Sequence, residues 1–157
     1  MGTYLVRGGK RIEGEFAVRG SKNAALPILA ACVLAADEVV LENLPQIRDV
    51  SQTLEILREL GCSVTLTGRT AVIDSREMQV TALCGETVRK MRSSILFLGA
   101  MLGRSGAGRI AYPGGCAIGK RPIDLHLAAF RRMGVSIAEE NEILDCRAER
   151  LQGCRID

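Results

Sequence analysis

A glycine-rich turn in the second half of the chain holds the residues whose types and spacing point most directly to chemistry. Residues 114–122 read GGCAIGKRP, and the first seven letters fit G-x-x-x-x-G-K, the phosphate-binding loop of nucleotide hydrolases. That loop next requires a Ser or Thr whose hydroxyl holds magnesium, but Arg121 stands there and Pro122 follows it. The turn is therefore predicted to serve an anion in another way, with glycine backbone that a ligand can approach closely.

Cys116 is the candidate reactive group of this turn. It stands between glycines and shortly before Lys120 and Arg121. Nearby cations lower the pKa of a thiol and favour the reactive thiolate, whereas the alternative is a buried structural cysteine in a tight loop. His126 is a second candidate, as an acid–base group; the alternative is a histidine on a helix surface that pairs with Asp124.

Cations also stand at the start of two strongly apolar segments with the length and composition of helices. Lys22 begins the first, SKNAALPILAACVLAAD, and Lys90 and Arg92 precede the second, SSILFLGAMLGR. The N-terminus of a helix already carries partial positive charge, so added cations there are unfavourable unless an anion binds. The pattern predicts an anion site near these helix starts, and the alternative for each residue is a solvated loop cation.

The elements that must position these residues occur in a repeated order. Two predicted strands, TYLVR and IEGEFAV, open the chain on either side of Gly8-Gly9. An apolar helix with Pro27 in its first turn, the strand EVVLEN, an amphipathic helix that ends at Gly61 and a hairpin follow. A second apolar helix, the strand GRIAYP, an amphipathic helix beginning at Pro122 and a second hairpin repeat that order.

The repeated unit is thus helix, strand, helix and hairpin, about 70 residues long. Repeat 1 is predicted at about 21–90 and repeat 2 at about 91–150. Within repeat 1, Asp49 with Gln52 resembles a capping box at the start of the amphipathic helix. The final RLQGCRID is predicted to be a strand leading toward a further unit that this chain does not contain, so we expect the chain to be truncated.

Composition excludes several function classes. Aromatic residues make up 3% of the chain, and the 21 basic residues occur without a run, so nucleic-acid binding is not expected. The chain has a single histidine and no C-x-x-C pair, so neither a metal site nor a cofactor is predicted. The longest apolar run, 24–36, is shorter than the ~20 residues that cross a bilayer, so no membrane insertion is expected.

The six cysteines indicate a reducing compartment. No signal peptide precedes them, and several stand inside apolar helix or strand patterns, so a cytoplasmic location is predicted. Cys32 and Cys62 are expected to behave as small inert apolar residues.

Four motifs together resemble one enzyme family. SKNAALPILAA, NLPQIRDV, MRSSI and PGGCAIGKRPIDLH are similar, in order and spacing, to the UDP-N-acetylglucosamine 1-carboxyvinyltransferases, which are enolpyruvyl transferases. The last motif is the most specific, because the related transferase that acts on shikimate 3-phosphate lacks the cysteine loop. The resemblance covers essentially the whole chain.

The resemblance implies an α/β fold of the inside-out barrel type in a two-domain enzyme. Each domain of such an enzyme has three repeats, with helices buried and sheets outside. Residues 1–20 would be opening strands that belong to the second domain, and residues 21–157 would form about two of the three repeats of the first.

The implied reaction transfers the enolpyruvyl group of phosphoenolpyruvate to the 3'-hydroxyl of UDP-N-acetylglucosamine and releases phosphate, the first committed step of peptidoglycan synthesis. Lys22, Arg92 and Arg121 would surround phosphoenolpyruvate, and Asn23 would contact the sugar substrate. Cys116 would protonate the enol methylene, form a covalent adduct with phosphoenolpyruvate and be alkylated by the antibiotic fosfomycin. The uridine pocket would be lined by Pro122, Ile123, Asp124 and Leu125, with His126 beside it.

The same resemblance places an aspartate base, another substrate-binding arginine and further nucleotide contacts in a C-terminal part beyond this chain. That missing part is a predicted partner, and the chain alone is expected to be inactive. Two alternatives stay open: a non-catalytic binding or scaffold domain of the same fold, and a thiol-dependent nucleotide-sugar enzyme of other chemistry.

Overall fold

The computed structural model describes residues 3–79, 82–114 and 122–156. Residues 3–20 contain no helix and no strand, so the two opening strands predicted there are absent. No described strand lies beside this segment to share backbone hydrogen bonds, and an isolated hairpin is at best marginally stable in water. Its large apolar side chains are exposed: Tyr4, Leu5, Val6, Ile12, Phe16 and Val18. The assignment of this segment to a second domain stays a prediction.

The first unit combines two helices with a three-stranded antiparallel sheet. Its elements are α1 (Lys22–Ala35), β1 (Glu38–Leu41), α2 (Arg48–Glu59), β2 (Ser63–Thr67) and β3 (Thr70–Asp74). The strand order is β1-β3-β2, and Ile73 of the central strand is paired with Val39 on one side and Val64 on the other. The hairpin β2-β3 therefore joins β1 through its second strand, β3.

The second unit carries the same elements with additions at its start. Its elements are β4 (Ala82–Leu83), α3 (Glu86–Lys90), a 3₁₀ turn (Arg92–Ser94), α4 (Ile95–Ser105), β5 (Ala107–Ala111), α5 (Asp124–Arg132), β6 (Ser136–Glu140) and β7 (Ile143–Arg147). The strand order is β4-β5-β7-β6, with β4 parallel to β5 and the other pairs antiparallel. The sequence patterns did not predict β4 or α3.

The predicted repeat of elements is confirmed. Helix α1, strand β1, helix α2 and hairpin β2-β3 correspond in order to α4, β5, α5 and hairpin β6-β7. The strand order agrees as well, because β1-β3-β2 recurs as β5-β7-β6. Both sheets are open among the described strands, and no barrel closes.

Helices α1 and α4 pack against each other in the interior, as the buried-helix fold predicts. One continuous apolar core joins them to the inner faces of both sheets. Its fully buried side chains include Leu29 and Val33 of α1, Phe97, Leu98 and Met101 of α4, Ile73 of β3 and Leu144 of β7. The helices are therefore held from within, and each sheet turns its other face outward.

Two expectations for α1 need correction. Pro27 lies in the second turn rather than the first, because the helix already begins at Lys22. Proline has no N–H, so Pro27 provides no helical hydrogen bond to the carbonyl oxygen of Asn23. The helix is also not covered on every side: Ala24, Pro27, Ile28, Ala31, Leu34 and Ala35 form an exposed apolar stripe among the described residues.

Three other predicted boundaries also differ. Asp49 is not the N-cap of α2; Ile47 occupies that position and provides no side-chain cap. Pro122 precedes α5 by two residues, since the helix starts at Asp124. Residues 151–156 form no strand, and no described strand pairs with them.

Among the described helices, none has the length and hydropathy that a bilayer span needs.

Candidate functional site

The starts of α1 and α2 are joined by an ion pair. The Nζ of Lys22 contacts the Oδ2 of Asp49, and the two side chains are 51% and 34% exposed. Lys22 is the first residue of α1, and Asp49 is in the first turn of α2. A carboxylate at a helix start is favoured by the positive end of the helix dipole, so Asp49 stabilises its own helix and also the lysine beside it.

Gly20 fixes how the chain enters α1. A Cβ at Gly20 would lie 2.2 Å from the backbone oxygen of Asn43, which is closer than any side-chain carbon can come to backbone. Asn43 follows β1 and has a left-handed φ of 59°, which Asn tolerates better than most residues. The close passage of two backbones thus sets the position of Lys22 next to the loop that leads to α2.

A contact between the two repeats connects this ion pair with Arg92. The buried Thr53 hydroxyl lies 2.7 Å from the backbone oxygen of Asp49 and 3.8 Å from the Sδ of Met91. Met91 is 5% exposed and directly precedes Arg92. The second helix of repeat 1 therefore packs against the residue that places Arg92 at the beginning of the 3₁₀ turn.

Arg92 also contacts the last residue of the glycine-rich turn. Its Nη2 donates a hydrogen bond to the backbone oxygen of Pro122 at 3.1 Å. On the other side of the turn, Gly114 packs against α3 so closely that a Cβ there would lie 1.5 Å from the backbone oxygen of Arg89. Gly114 and Pro122 thus both lie next to the short segment 89–92.

Cys116, Lys120 and Arg121, the predicted reactive residues of the turn, lie outside the described residues. Their roles stay predictions. What the structure gives is the position of the residues on either side, which border the same segment as Arg92.

The predicted uridine-pocket residues separate into two groups. Ile123 is 1% exposed and belongs to the apolar core, so its side chain supports α5 from within. Pro122, Asp124, Leu125 and His126 are exposed at the start of α5, as is Asn23 at the start of α1. These exposed side chains are accessible to a ligand, and the described residues leave their predicted roles untested.

Lys90 has a local explanation for its position. Its Nζ lies 2.9 Å from Glu86 Oε2, one helical turn earlier in α3, and the ammonium group lowers the pKa of that carboxyl. The pair is exposed and follows the usual i,i+4 arrangement. Lys90 therefore fits the alternative of a solvated surface cation.

The buried cysteines are chemically quiet, as predicted for Cys32 and Cys62. Burial raises the pKa of Cys32, and burial together with the neighbouring Cys32 raises the pKa of Cys62 to about 11. Burial and the nearby Asp145 raise the pKa of Cys146 to about 11. These thiols stay protonated near neutral pH and cannot act as the thiolate nucleophile.

Asp49 is the site residue that the sequence analysis missed. The spacing of Asp49 and Gln52 indicated a helix cap, and that interpretation accounted for the carboxylate without a partner outside its helix. The opposite charge of Lys22 at the start of another helix was the signal that could have found the pair. The Lys22–Asp49 pair is connected to Arg92 only through Thr53 and Met91, and we call these three charged residues the charged cluster.

A sequence model of the family EPSP synthase (3-phosphoshikimate 1-carboxyvinyltransferase) matches residues 6–157. The chain belongs to this family. Relatives named UDP-N-acetylglucosamine 1-carboxyvinyltransferase bear out the resemblance seen in the motifs. The chain is 43% identical over 156 residues to one from Solidesulfovibrio magneticus and 42% identical over 156 residues to a second from Caldanaerobacter subterraneus subsp. tengcongensis.

Solved structures support the same family fold. The enolpyruvyl transferase NikO from Streptomyces tendae is 26% identical, with a TM-score of 0.78 over 94% of this chain and 32% of its own. In sequence, 99% of this chain aligns with the two relatives above, but the alignment spans only 37% and 38% of their lengths. The similarity therefore extends through the chain and ends well short of a complete relative.

Proposed function

We propose that this chain is the N-terminal portion of a UDP-N-acetylglucosamine 1-carboxyvinyltransferase. Such an enzyme transfers the enolpyruvyl group of phosphoenolpyruvate to the 3'-hydroxyl of UDP-N-acetylglucosamine and releases phosphate. The observation that carries the proposal is that Arg92 contacts Pro122, at one end of the glycine-rich turn, and is connected through Met91 and Thr53 to the Lys22–Asp49 pair. Relatives of that name, at 42% and 43% identity, support the choice of acceptor.

The cations of the charged cluster suit a substrate with a phosphate and a carboxylate. Lys22 is the first residue of α1, and Arg92 is the first residue of the 3₁₀ turn that leads into α4. The free backbone N–H groups and the partial positive charge at a helix start favour an anion. Arginine presents a planar fork that matches a carboxylate or phosphate, whereas lysine acts as a compact point charge. In the proposed site both contact phosphoenolpyruvate, with Arg121 as a third cation.

The proposed chemistry is an addition followed by an elimination. In the addition, the 3'-oxygen bonds to C2 of phosphoenolpyruvate, C3 takes a proton from the Cys116 thiol, and the hydroxyl proton goes to a base. In the elimination, C3 returns a proton to the Cys116 thiolate and the C2–C3 double bond forms again. The C2–O bond to phosphate breaks, and the leaving phosphate takes up the proton held by the base. The cations stabilise the negative charge carried through the tetrahedral intermediate.

The other predicted residues bind the acceptor. Asn23 contacts the sugar, and the exposed residues Pro122, Asp124, Leu125 and His126 meet the uridine, with the buried Ile123 beneath them. The base and the remaining nucleotide contacts come from the segment that relatives carry beyond the matched region. The product would enter peptidoglycan synthesis.

The test is turnover by the full-length gene product. Phosphate release and enolpyruvyl product are measured with phosphoenolpyruvate and UDP-N-acetylglucosamine, and shikimate 3-phosphate serves as the competing acceptor. We expect turnover when the nucleotide sugar is the acceptor and none with shikimate 3-phosphate, and the Lys22→Gln variant should react slowly but measurably. Turnover only with shikimate 3-phosphate would overturn the acceptor, and no turnover with either would overturn the proposed reaction.

A further inference from the structure

Asp49 presents a physical conflict in a site that is proposed to bind an anion. Its carboxylate contacts Lys22, and both side chains are partly shielded from water. A negative charge close to a phosphate site repels the ligand, and this repulsion is stronger where water is partly excluded. A carboxylate here weakens anion binding unless it also improves the position of a group that binds the anion.

The position of Asp49 is fixed by its surroundings. Its backbone oxygen lies 2.7 Å from the Thr53 hydroxyl, and Thr53 is 1% exposed. Helix α2 packs against α1, so the backbone that carries Asp49 cannot shift independently of Lys22. The backbone that carries the Asp49 carboxylate is therefore held in place, while Lys22 reaches it through a longer and more flexible side chain.

Lysine has three ammonium donors on a stem with four rotatable carbons, and this freedom is costly to remove when a ligand binds. A carboxylate that accepts one donor restricts the ammonium group to one region before the ligand arrives. Two donors stay available for an anion. Orientation of this kind raises the rate because the catalytic group is already in place.

We propose that Asp49 is a positioning residue that holds the Lys22 ammonium group for phosphoenolpyruvate. The inference rests on the proposed function for the identity of the ligand. A simpler role would be to stabilise the start of α2 through the helix dipole. That role predicts a change in folding stability and no dependence on Lys22.

The experiment is a double-mutant cycle in the full-length gene product with Lys22→Gln, Asp49→Asn and the double variant. Glu55→Gln is the matched control, because it removes the same charge from an exposed position of α2. Two readouts are measured: phosphoenolpyruvate binding by calorimetry, and kcat/KM for phosphoenolpyruvate with saturating UDP-N-acetylglucosamine. Asp49→Ser replaces Asp49→Asn if the latter does not fold.

We expect Asp49→Asn to weaken binding and to lower kcat/KM on the order of 10- to 100-fold, with wild-type KM for UDP-N-acetylglucosamine. In the Lys22→Gln background the same change should have no further effect, and Glu55→Gln should match the wild type. Tighter phosphoenolpyruvate binding in Asp49→Asn would overturn the inference, as would an equal loss in both backgrounds. Binding by the wild type without turnover would refute the proposed reaction, and the binding cycle would still decide the role of Asp49. A wild type that neither binds nor reacts would overturn both.

Discussion

Arg92 donates a hydrogen bond from Nη2 to the backbone oxygen of Pro122 at 3.1 Å. The two residues are thirty positions apart in sequence and come from opposite sides of β5. Through this contact the beginning of the α4 segment is joined to the chain that leads into α5. A cation proposed to bind substrate thus also helps to position the residues that follow the glycine-rich turn.

Replacement of Arg92 tests both parts of that role. We expect Arg92→Ala to lower kcat/KM for phosphoenolpyruvate on the order of 100- to 1,000-fold, because a charged donor to the developing negative charge is lost. Arg92→Lys should keep the charge but lose the planar fork, and its loss should be intermediate. The charge-matched control is Arg109→Ala, at an exposed position of β5. Steady-state kinetics of the full-length protein check this, and equal effects of Arg92→Ala and Arg109→Ala would contradict it.

Gly114 should tolerate no side chain. An added Cβ would lie 1.5 Å from the backbone oxygen of Arg89, so either α3 or the end of β5 must move. We expect Gly114→Ala to lower the free energy of unfolding by about 1–3 kcal/mol, the range typical of overpacking. Gly153→Ala is the control, since nothing lies within 4 Å of the position that a Cβ would take there. Urea denaturation of both variants measures the difference, and equal stabilities would refute the close approach.

The buried thiols should make stability fall at alkaline pH. The pKa values of Cys62 and Cys146 are raised from the ordinary 9.0 to about 11 by burial. Above pH 9 the unfolded chain releases these protons while the folded chain keeps them, so ionisation favours the unfolded state. Their contribution to stability is present below pH 9 and is lost as the pH rises toward 11.

Denaturation between pH 8 and pH 11 measures this effect. A Cys62→Ala/Cys146→Ala variant should be less stable at pH 8 but should lose less stability over the same interval. Identical pH slopes in the two proteins would show that these thiols do not govern the alkaline loss.

Fosfomycin should distinguish Cys116 from the other cysteines. We expect mass spectrometry of the treated full-length protein to find one adduct at Cys116, and none at the buried Cys32, Cys62 and Cys146, whose raised pKa values keep them protonated. Cys116→Ser should abolish the adduct. Equal labelling of Cys116 and the exposed Cys154 would remove the case for a special thiol.

The sequence predicted the repeat well because its signals are local. The two apolar helices, their following strands and the hairpins depend on periodicity and turn residues, and all of these appear in the structure. The prediction of strands in residues 3–20 was wrong because a strand also needs a partner strand, which no local pattern reveals. The β4 pairing with β5 was missed for the same reason, since two residues, Ala82 and Leu83, give too short a pattern.

The charges in the sequence indicated the cations of the candidate site, but they did not indicate the ion pair between Lys22 and Asp49. Lys22 and Arg92 were chosen as candidates because a cation at a helix start is electrostatically unusual, and their roles stay predictions. Asp49 was assigned to its own helix because a cap is a local explanation, whereas its partner lies in another helix and depends on how α1 and α2 pack. Lys90 shows the reverse, since a partner one turn away in its own helix accounts for a charge that suggested a site.

The contact of Thr53 with Met91 crosses from the first repeat to the second. Lys22 and Asp49 belong to one side of that seam and Arg92 to the other. A ligand that contacts both Lys22 and Arg92 would bind the two repeats together. Its binding energy would then raise the resistance of the whole chain to heat and to proteases. Binding of a ligand to the charged cluster could then be detected as an increase in the stability of the entire fold.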